Sequence, residues 1–421
     1  MHYKITDFGA VTSDALQTEA IQKAIDTCFL HGGGTVEIPT GIFRTGGIRL
    51  RSHVTLLLKS GAILEGSQNP EDYMAFHHDP IEPIDLSATS HLNRSLNPYS
   101  RWHNSLIRAI NAEDIAIIGE DGAYIDGVNC YDPQGEENYR GPHLITMQNC
   151  ANVTLIGYTA RRSANWAHAI FHTRNIVARN LKVFGGHDGF DVRTCDNITI
   201  ENCEFITGDD AIAGFDNCGV FIRNCYIESS CSAFRFGGTD VTIEQCLCKA
   251  PARFGFRLQL TDEEKRHGVE ATPACRHNTH DVFLYYCDFR AAIRKTPGNI
   301  LIRNCVFEQI DELFHMNFNR ERWCENRPLT SIKFENCTIT GVCSPSLIVG
   351  GEDEPITFEL ENMRIQAKPG HEDIPLLKAE HYKKISLKNV ALENFAHPTI
   401  LAKKEGEICA DPPLEVLELA P

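Results

Sequence analysis

The chain has 421 residues, 42% of them hydrophobic and 23% charged, and a formal net charge of −16. This is enough apolar material for a large core, and the acidic balance excludes nucleic acid and an anionic membrane surface as partners, since both need a basic footprint. No window approaches 18 uninterrupted apolar residues, which excludes a membrane-spanning helix. The opening MHYKITDFGAVTSD lacks a basic stretch followed by an apolar run, so no secretory leader is expected. The 17 cysteines are odd in number and spread along the chain, which points to reduced thiols and a cytoplasmic location.

In chain order, Thr18–Phe29 (TEAIQKAIDTCF) has apolar residues at helical spacing, and HGGGTVEIPTGIF then reads as a tight turn into a strand. A short helix here would cap an open end of a repeat stack, so residues 1–70 read as a cap and first coils. Residues 70–104 are polar and rich in Pro, His and Ser, which predicts a long loop. Residues 262–280 predict another, and together such insertions would wall a cleft.

From about residue 150 one pattern recurs: RNIVARNLKVF at 174, DNITIENCEFI at 196 and CGVFIRNCYIE at 218, each 22 residues after the last. Looser copies begin at 240, 281, 299, 331 and 383. Each copy is an alternating strand, a polar break and a second short strand. A strand-only repeat of this length predicts an all-β parallel β-helix, one domain over residues 1–421. Asn202-Cys203, Asn224-Cys225, Asn304-Cys305 and Asn336-Cys337 hold one place in the repeat, with Cys246 and Cys287 at the cysteine place elsewhere. Stacked at a strand spacing of about 4.8 Å, the asparagines would ladder their amides and the cysteines would fill the interior. One cysteine per coil, without CxxC pairs, argues against a zinc cluster.

The same period organises the acidic residues of HDGFDVRTCDNITIENCEFITGDDAIAGFD. Asp188 precedes Asp210 by 22 residues, one coil, and Asp209 is beside Asp210. Three carboxylates on one face raise at least one pKa, and separated pKa values supply an acid and a base together. Calcium bound by the three is the competing reading. Asp196 and Asp216 read as ordinary turn aspartates.

The segments HDGFD and TGDDAIA resemble the paired motifs of family 28 glycoside hydrolases, the polygalacturonase-like group, and DFGAV, YIDG at 124–127 and SANW at 163–166 are similar to its bacterial members. The resemblance spans residue 5 to at least 340. It implies a right-handed β-helix of the pectin lyase-like kind that hydrolyses a glycosidic bond with inversion. Asp209 would protonate the leaving oxygen, while Asp188 and Asp210 activate water. The implied substrate is a pectin-related oligosaccharide or polysaccharide of galacturonate or rhamnogalacturonan type; the long loops, separately, suggest a partly closed, exo-type site. No cofactor or metal is expected.

Departures from the family pattern fall on substrate contacts. Cys231 stands where the family has histidine, and its spacing predicts stacking on Asp209. Arg257-Leu258-Gln259 replaces R-I-K, leaving one cation where the family has two. Arg235 either supplies the missing charge or is a surface arginine. His187 replaces a threonine and is a candidate substrate contact. His168 and His172 are either structural or functional, and Trp166, Trp102 and Trp323 either stack on sugar or pack. The alternatives to hydrolysis are a lyase or epimerase on the same scaffold, or a carbohydrate-binding protein whose catalysis has decayed.

Overall fold

His168–Phe171, Arg174–Arg179 and Lys182–Gly185 form one coil of the computed structural model, and Phe190–Arg193, Asp196–Glu201 and Glu204–Thr207 form the next. The structure describes residues 1–77, 101–267, 275–288 and 292–419. His168 pairs with Phe190, Ile176 with Ile198 and Val183 with Phe205, all in parallel register 22 residues apart. Among the described residues, 35 strands join in one continuous parallel sheet wound into a β-helix. The predicted loop at 70–104 contains the 3-10 segment Pro70–His77 and a 3-10 turn at Arg101–His103; positions 78–100 lie outside the described residues.

The repeat contains a third strand beyond the two of the sequence pattern, in the stretch around His168 that reads as one strand face. His168–Phe171 is buried at all four positions and Phe190–Arg193 at its first three, so neither shows the alternation that marks a half-exposed strand. That strand faces the cleft and carries the candidate site. Stacking gives the core its columns: Phe190, Ile212, Phe234, Phe283 and Phe314 succeed one another by register.

The turns between strands are left-handed, and this explains the asparagines. Asn202, Asn224, Asn304 and Asn336 have φ of 56°, 51°, 55° and 54°, a region that Asn tolerates better than most residues because its short amide bonds locally. Their amides ladder outside the coil, with Asn224 donating to Asn202 at 2.8 Å and Asn336 to Asn304 at 3.3 Å. A second ladder runs from Asn197 through Asn175 and Asn152 to Asp114. Cys203, Cys225, Cys246, Cys305 and Cys337 are buried, and the Sγ atoms of Cys203, Cys225, Cys305 and Cys337 donate to carbonyls one coil back. All 17 cysteines are free thiols.

The N-terminal helix spans Thr18–Leu30 and buries Ile21, Ala24, Ile25 and Cys28 against the first coil, as a cap. The predicted loop at 262–280 requires correction. Asp262–His267 is a short helix started by a reciprocal cap, in which the Thr261 amide donates to Glu264 and the Glu264 amide to Thr261 Oγ1. Strand Thr279–Tyr285 begins inside the same segment, and residues 268–274 lie outside the described residues.

The ladder makes a stability prediction. Asn224→Gly keeps the left-handed turn and loses one amide bond, whereas Asn224→Val also forces a β-branched residue to positive φ. Urea unfolding should place the valine variant about 1–2 kcal/mol below the glycine variant; equal stability would mean the turn does not demand this backbone.

Candidate functional site

Asp188 precedes the cleft-facing strand of one coil, and Asp209 and Asp210 precede that of the next. The Gly189 amide donates to the Asp210 carbonyl at 3.0 Å, stacking the two turns. Thr207 and Ser229 hydroxyls both donate to the Asp209 carbonyl, at 2.8 and 2.7 Å, fixing the turn from its own coil and from the one after. Glycine is required beside it: a Cβ on Gly208 would lie 2.6 Å from the Gly255 carbonyl oxygen and 2.8 Å from that of Gly186.

All three carboxylates are buried, with 3%, 6% and 2% exposure for Asp188, Asp209 and Asp210. Their environments differ in charge. Burial, reinforced by the neighbouring Asp209 and Asp210 charges, pushes the Asp188 carboxyl well above the usual range, and among the described residues no guanidinium forms an ion pair with it. Burial also raises Asp210, to about 6, against the lowering effect of Arg235, whose Nη1 is 3.3 Å from Oδ2. Asp209 feels the same desolvation, but Arg257 and Arg140 outweigh it and hold the carboxyl at about 2. Arg257 Nε donates to Asp209 while its Nη1 reaches Glu137 at 2.7 and 2.8 Å, so it bridges two carboxylates. Arg140 Nη2 lies 3.8 Å from Asp209.

The expected acid, Asp209, is therefore the carboxyl held low without substrate, and Asp188 and Asp210 are the two pushed up. The spacing of the turns was legible in the sequence; the distribution of charge was not, because it depends on Arg140. That residue lies in the irregular segment 127–142, where no repeat register predicts its direction, and it is held by Asn165 Oδ1 at 3.0 Å. Asn165 belongs to the SANW segment that supported the resemblance.

The other predicted residues distribute as follows. Cys231 falls in register one coil after Asp209, where its spacing predicted it, and it also lies beside Asp210, to which its thiol bonds; burial and those two carboxylates push the thiol well up. Arg235 is no surface arginine: it lies 4.0 Å from the Tyr286 ring centroid and 5.0 Å from that of Trp323. Gln259 is exposed, and its Oε1 accepts from the Arg276 amide at 2.6 Å, away from hydrogen bonding with the three carboxylates. His187 stacks on Tyr139 at 5.9 Å, and burial drives its pKa well down, so it is neutral, with Nδ1 unpartnered. Trp166 packs edge-on with Trp102, and the Arg193 guanidinium lies 4.5 Å from its ring centroid. One face of Trp166 is thus already taken.

His168 is structural, since its ring bonds Tyr158 at 2.9 Å and the Gly189 carbonyl at 3.0 Å. His172 occupies a left-handed turn position, φ 47°. Asp196 and Asp216 share Arg294, at 2.9 and 2.8 Å, as ordinary turn residues would. The pair Asp191–Arg193, bidentate at 2.7 and 2.8 Å, extends the charged lining beyond what spacing indicated. Asp209, Asp210 and Cys231 bring one ligand atom each within 4.8 Å of one another, but Arg257, Arg140 and Arg235 already neutralise these carboxylates, which disfavours a calcium ion there.

By fold the protein is a right-handed parallel β-helix: residues 96–248 match the family model "Right handed beta helix region". In sequence it is similar to polygalacturonases. It is 28% identical over 232 residues to a probable polygalacturonase of Vitis vinifera, covering 51% of this chain and 45% of that one. It is 26% identical over 248 residues to an exo-poly-alpha-D-galacturonosidase of Dickeya chrysanthemi, covering 49% and 41%. The chain thus matches less than half the length of these relatives. The family 28 exopolygalacturonase of Yersinia enterocolitica superposes with a TM-score of 0.66 at 19% identity, over all of this chain and 79% of that one, which supports the fold. No helix among the described residues is long and apolar enough to cross a membrane.

The burial of Asp188 has a thermodynamic consequence. Its native pKa is raised, so between the unfolded value near 4 and the native value the folded chain holds a proton that the unfolded chain has lost. Stability therefore falls as pH rises through that window, by up to about 1.4 kcal/mol per pH unit. Asp188→Asn removes this slope. Denaturant unfolding at pH 5 and pH 8 should show the variant gaining on wild type at the higher pH; a constant difference would place the proton elsewhere.

Proposed function

We propose that the protein is a glycoside hydrolase that cleaves a galacturonate- or rhamnogalacturonan-type pectic oligosaccharide with inversion. The observation that carries this reading is the buried trio Asp188, Asp209 and Asp210, whose neighbours separate their protonation while arginines ring the cleft. Separated carboxyl pKa values are what an acid–base pair requires. The similarity to polygalacturonases of plant and bacterial origin supports the choice of substrate class.

The resting ion pair defines the first step. Arg257 holds Asp209 ionised, and it also holds Glu137. A uronate carboxylate entering the site competes for the same guanidinium, in the bidentate geometry that arginine favours. Drawing Arg257 away lifts the Asp209 pKa, and a proton from Asp188, the carboxyl that burial pushes up furthest, becomes available to it. Asp209 then protonates the leaving oxygen, while Asp210 and Asp188, now ionised, accept a proton from the attacking water. Arg235, beside Asp210, adds a second cation where Gln259 cannot.

Asp209→Asn should lower kcat by about 10³-fold and leave oligosaccharide affinity near wild type, measured by reducing-end release and by calorimetry. Product NMR at early times should show the inverted anomer. If wild type binds a panel of uronate- and rhamnose-containing oligosaccharides but cleaves none, the hydrolase reading fails and a binding protein with decayed catalysis takes its place.

The pH profile supplies a separate check. A base must be ionised, and Asp210 in the free protein titrates at about 6. The plot of kcat/KM against pH should therefore fall below about pH 6 with unit slope and level off above it. An acid limb near pH 4 would remove Asp210 from the role.

A further inference from the structure

The cleft-facing column continues past the three aspartates. In register, Asp188 is followed by Asp210, then Ser232, Asp281 and Glu312, since Ser232 pairs with Asp281 and Asp281 with Glu312. The serine links the two acidic groups: its amide donates to Asp210 Oδ1 at 3.2 Å, and its hydroxyl to Asp281 Oδ2 at 3.4 Å. Two coils at about 4.8 Å each place Asp281 roughly 10 Å along the cleft from Asp210.

Around Asp281 the charge balance differs from that of the first three carboxylates. Asp281 is 1% exposed and Glu312 4%, and among the described residues neither forms an ion pair with an arginine or lysine. Their ion-pair partners are histidines, beside the Ser232 hydroxyl on Asp281 and the Leu347 amide, which donates to Glu312 Oε1 at 3.0 Å. His280 Nδ1 is 3.0 Å from Asp281 Oδ2, and His315 Nδ1 is 3.2 Å from Glu312 Oε1 while its Nε2 is 3.1 Å from Glu321. One oxygen remains without any donor: Asp281 Oδ1 is buried and has no hydrogen-bond partner. A buried carboxylate oxygen left unsatisfied is costly and calls for a cation or a donor at that spot.

We propose that His280, Asp281 and Glu312 form a binding site for a divalent first-row cation of the Mn²⁺ or Zn²⁺ type. One ligand atom from each residue lies within 4.8 Å of the others. Bonds of about 2.1 Å require ligand atoms about 3 to 4.2 Å apart, so closing the site takes side-chain shifts below an ångström. The side chain of His280 is 44% exposed and free to make such a shift. One imidazole with two carboxylates selects a borderline transition ion over Ca²⁺, which prefers six to eight oxygens. The cation would take the place that arginines fill around Asp209 and Asp210, satisfying Asp281 Oδ1 and offsetting two buried charges. Exposure of His280 leaves open positions for water or for an anionic oxygen in the cleft.

Mn²⁺ is the probe of choice, because the 17 thiols compete poorly for it. Chelator-treated protein titrated with Mn²⁺, followed by electron paramagnetic resonance and calorimetry, should bind one ion per chain. Affinity should drop at least tenfold in Asp281→Asn and in His280→Ala, and a crystal soaked in Mn²⁺ should show anomalous density between Asp281 and Glu312. His280→Ala changes an exposed ligand and keeps the test valid if the buried substitution impairs folding, which circular dichroism would reveal. Absence of saturable binding by wild type overturns the proposal. So does binding that survives Asp281→Asn and His280→Ala but is lost in Asp210→Asn, which would assign the ion to Asp209, Asp210 and Cys231.

Discussion

Parallel stacking at a fixed register is the constraint on which everything else in this molecule depends. Each strand is bonded to the strand one coil before and after it, so a residue's neighbours are set by register, which between His168 and Phe234 means counting 22 residues along the chain. Left-handed turns with asparagine at positive φ keep the stacking in register, and their amide ladder continues even where a coil is longer, as from Asn336 to Asn304 across 32 residues. Longer insertions occur only where a coil is allowed to open. Between Phe234 and Phe283 the register advances one coil over 49 residues, and the excess forms the segment carrying Arg257 and Arg276.

Register also explains why like charges accumulate. A column that places aspartate above aspartate repeats a cost at every coil, because each buried carboxylate loses hydration and gains a repelling neighbour. The chain meets that cost differently along the cleft. Arg257, Arg140 and Arg235 surround Asp209 and Asp210; burial pushes the Asp188 carboxyl up toward its neutral form; Ser232 interrupts the column; and histidines flank Asp281 and Glu312. The same architecture that could not tolerate such groups in its apolar interior uses the cleft wall to hold them a few ångströms apart.

What sequence could reveal follows the same line. The pairing of Asp188 with Asp210, the cap Thr18–Leu30 and the Asn and Cys columns are consequences of period, and period is visible in one dimension; Cys287, assigned to the same column, instead follows the cleft-facing strand and forms a backbone β-bridge with Cys324. The third strand of each coil was read only piecemeal, at the stretch around His168 and at 281, because a cleft-facing strand such as His168–Phe171, buried at all four positions, carries little exposed-face signal. Arg140 and Glu137 escaped because their segment has no repeat to index it. The helix Asp262–His267 carried its own signal, Thr261 followed three residues later by Glu264, inside a stretch whose polarity argued for a loop.

The departures at Cys231 and Gln259 acquire meaning from the guanidiniums rather than from the replaced residues. Cys231 donates a weak hydrogen bond to Asp210 and brings no charge, so it leaves that carboxyl dependent on Arg235. Gln259 is bonded to the Arg276 backbone and leaves Arg257 as the cation next to Asp209. Positive charge has therefore moved within the cleft, from a pair on one segment to Arg257 on one side and Arg235 on the other. Arg235 is also held between Tyr286 and Trp323, where aromatic faces fix its plane and limit its freedom. A ligand that satisfies both guanidiniums must present its anionic or hydroxyl oxygens across the Asp209–Asp210 turn, and it must do so without relying on a flexible lysine. Under the proposed function, that geometric demand would narrow the choice of sugar more than the carboxylate trio would, because the trio would set the bond chemistry and the arginines the ring that can reach it.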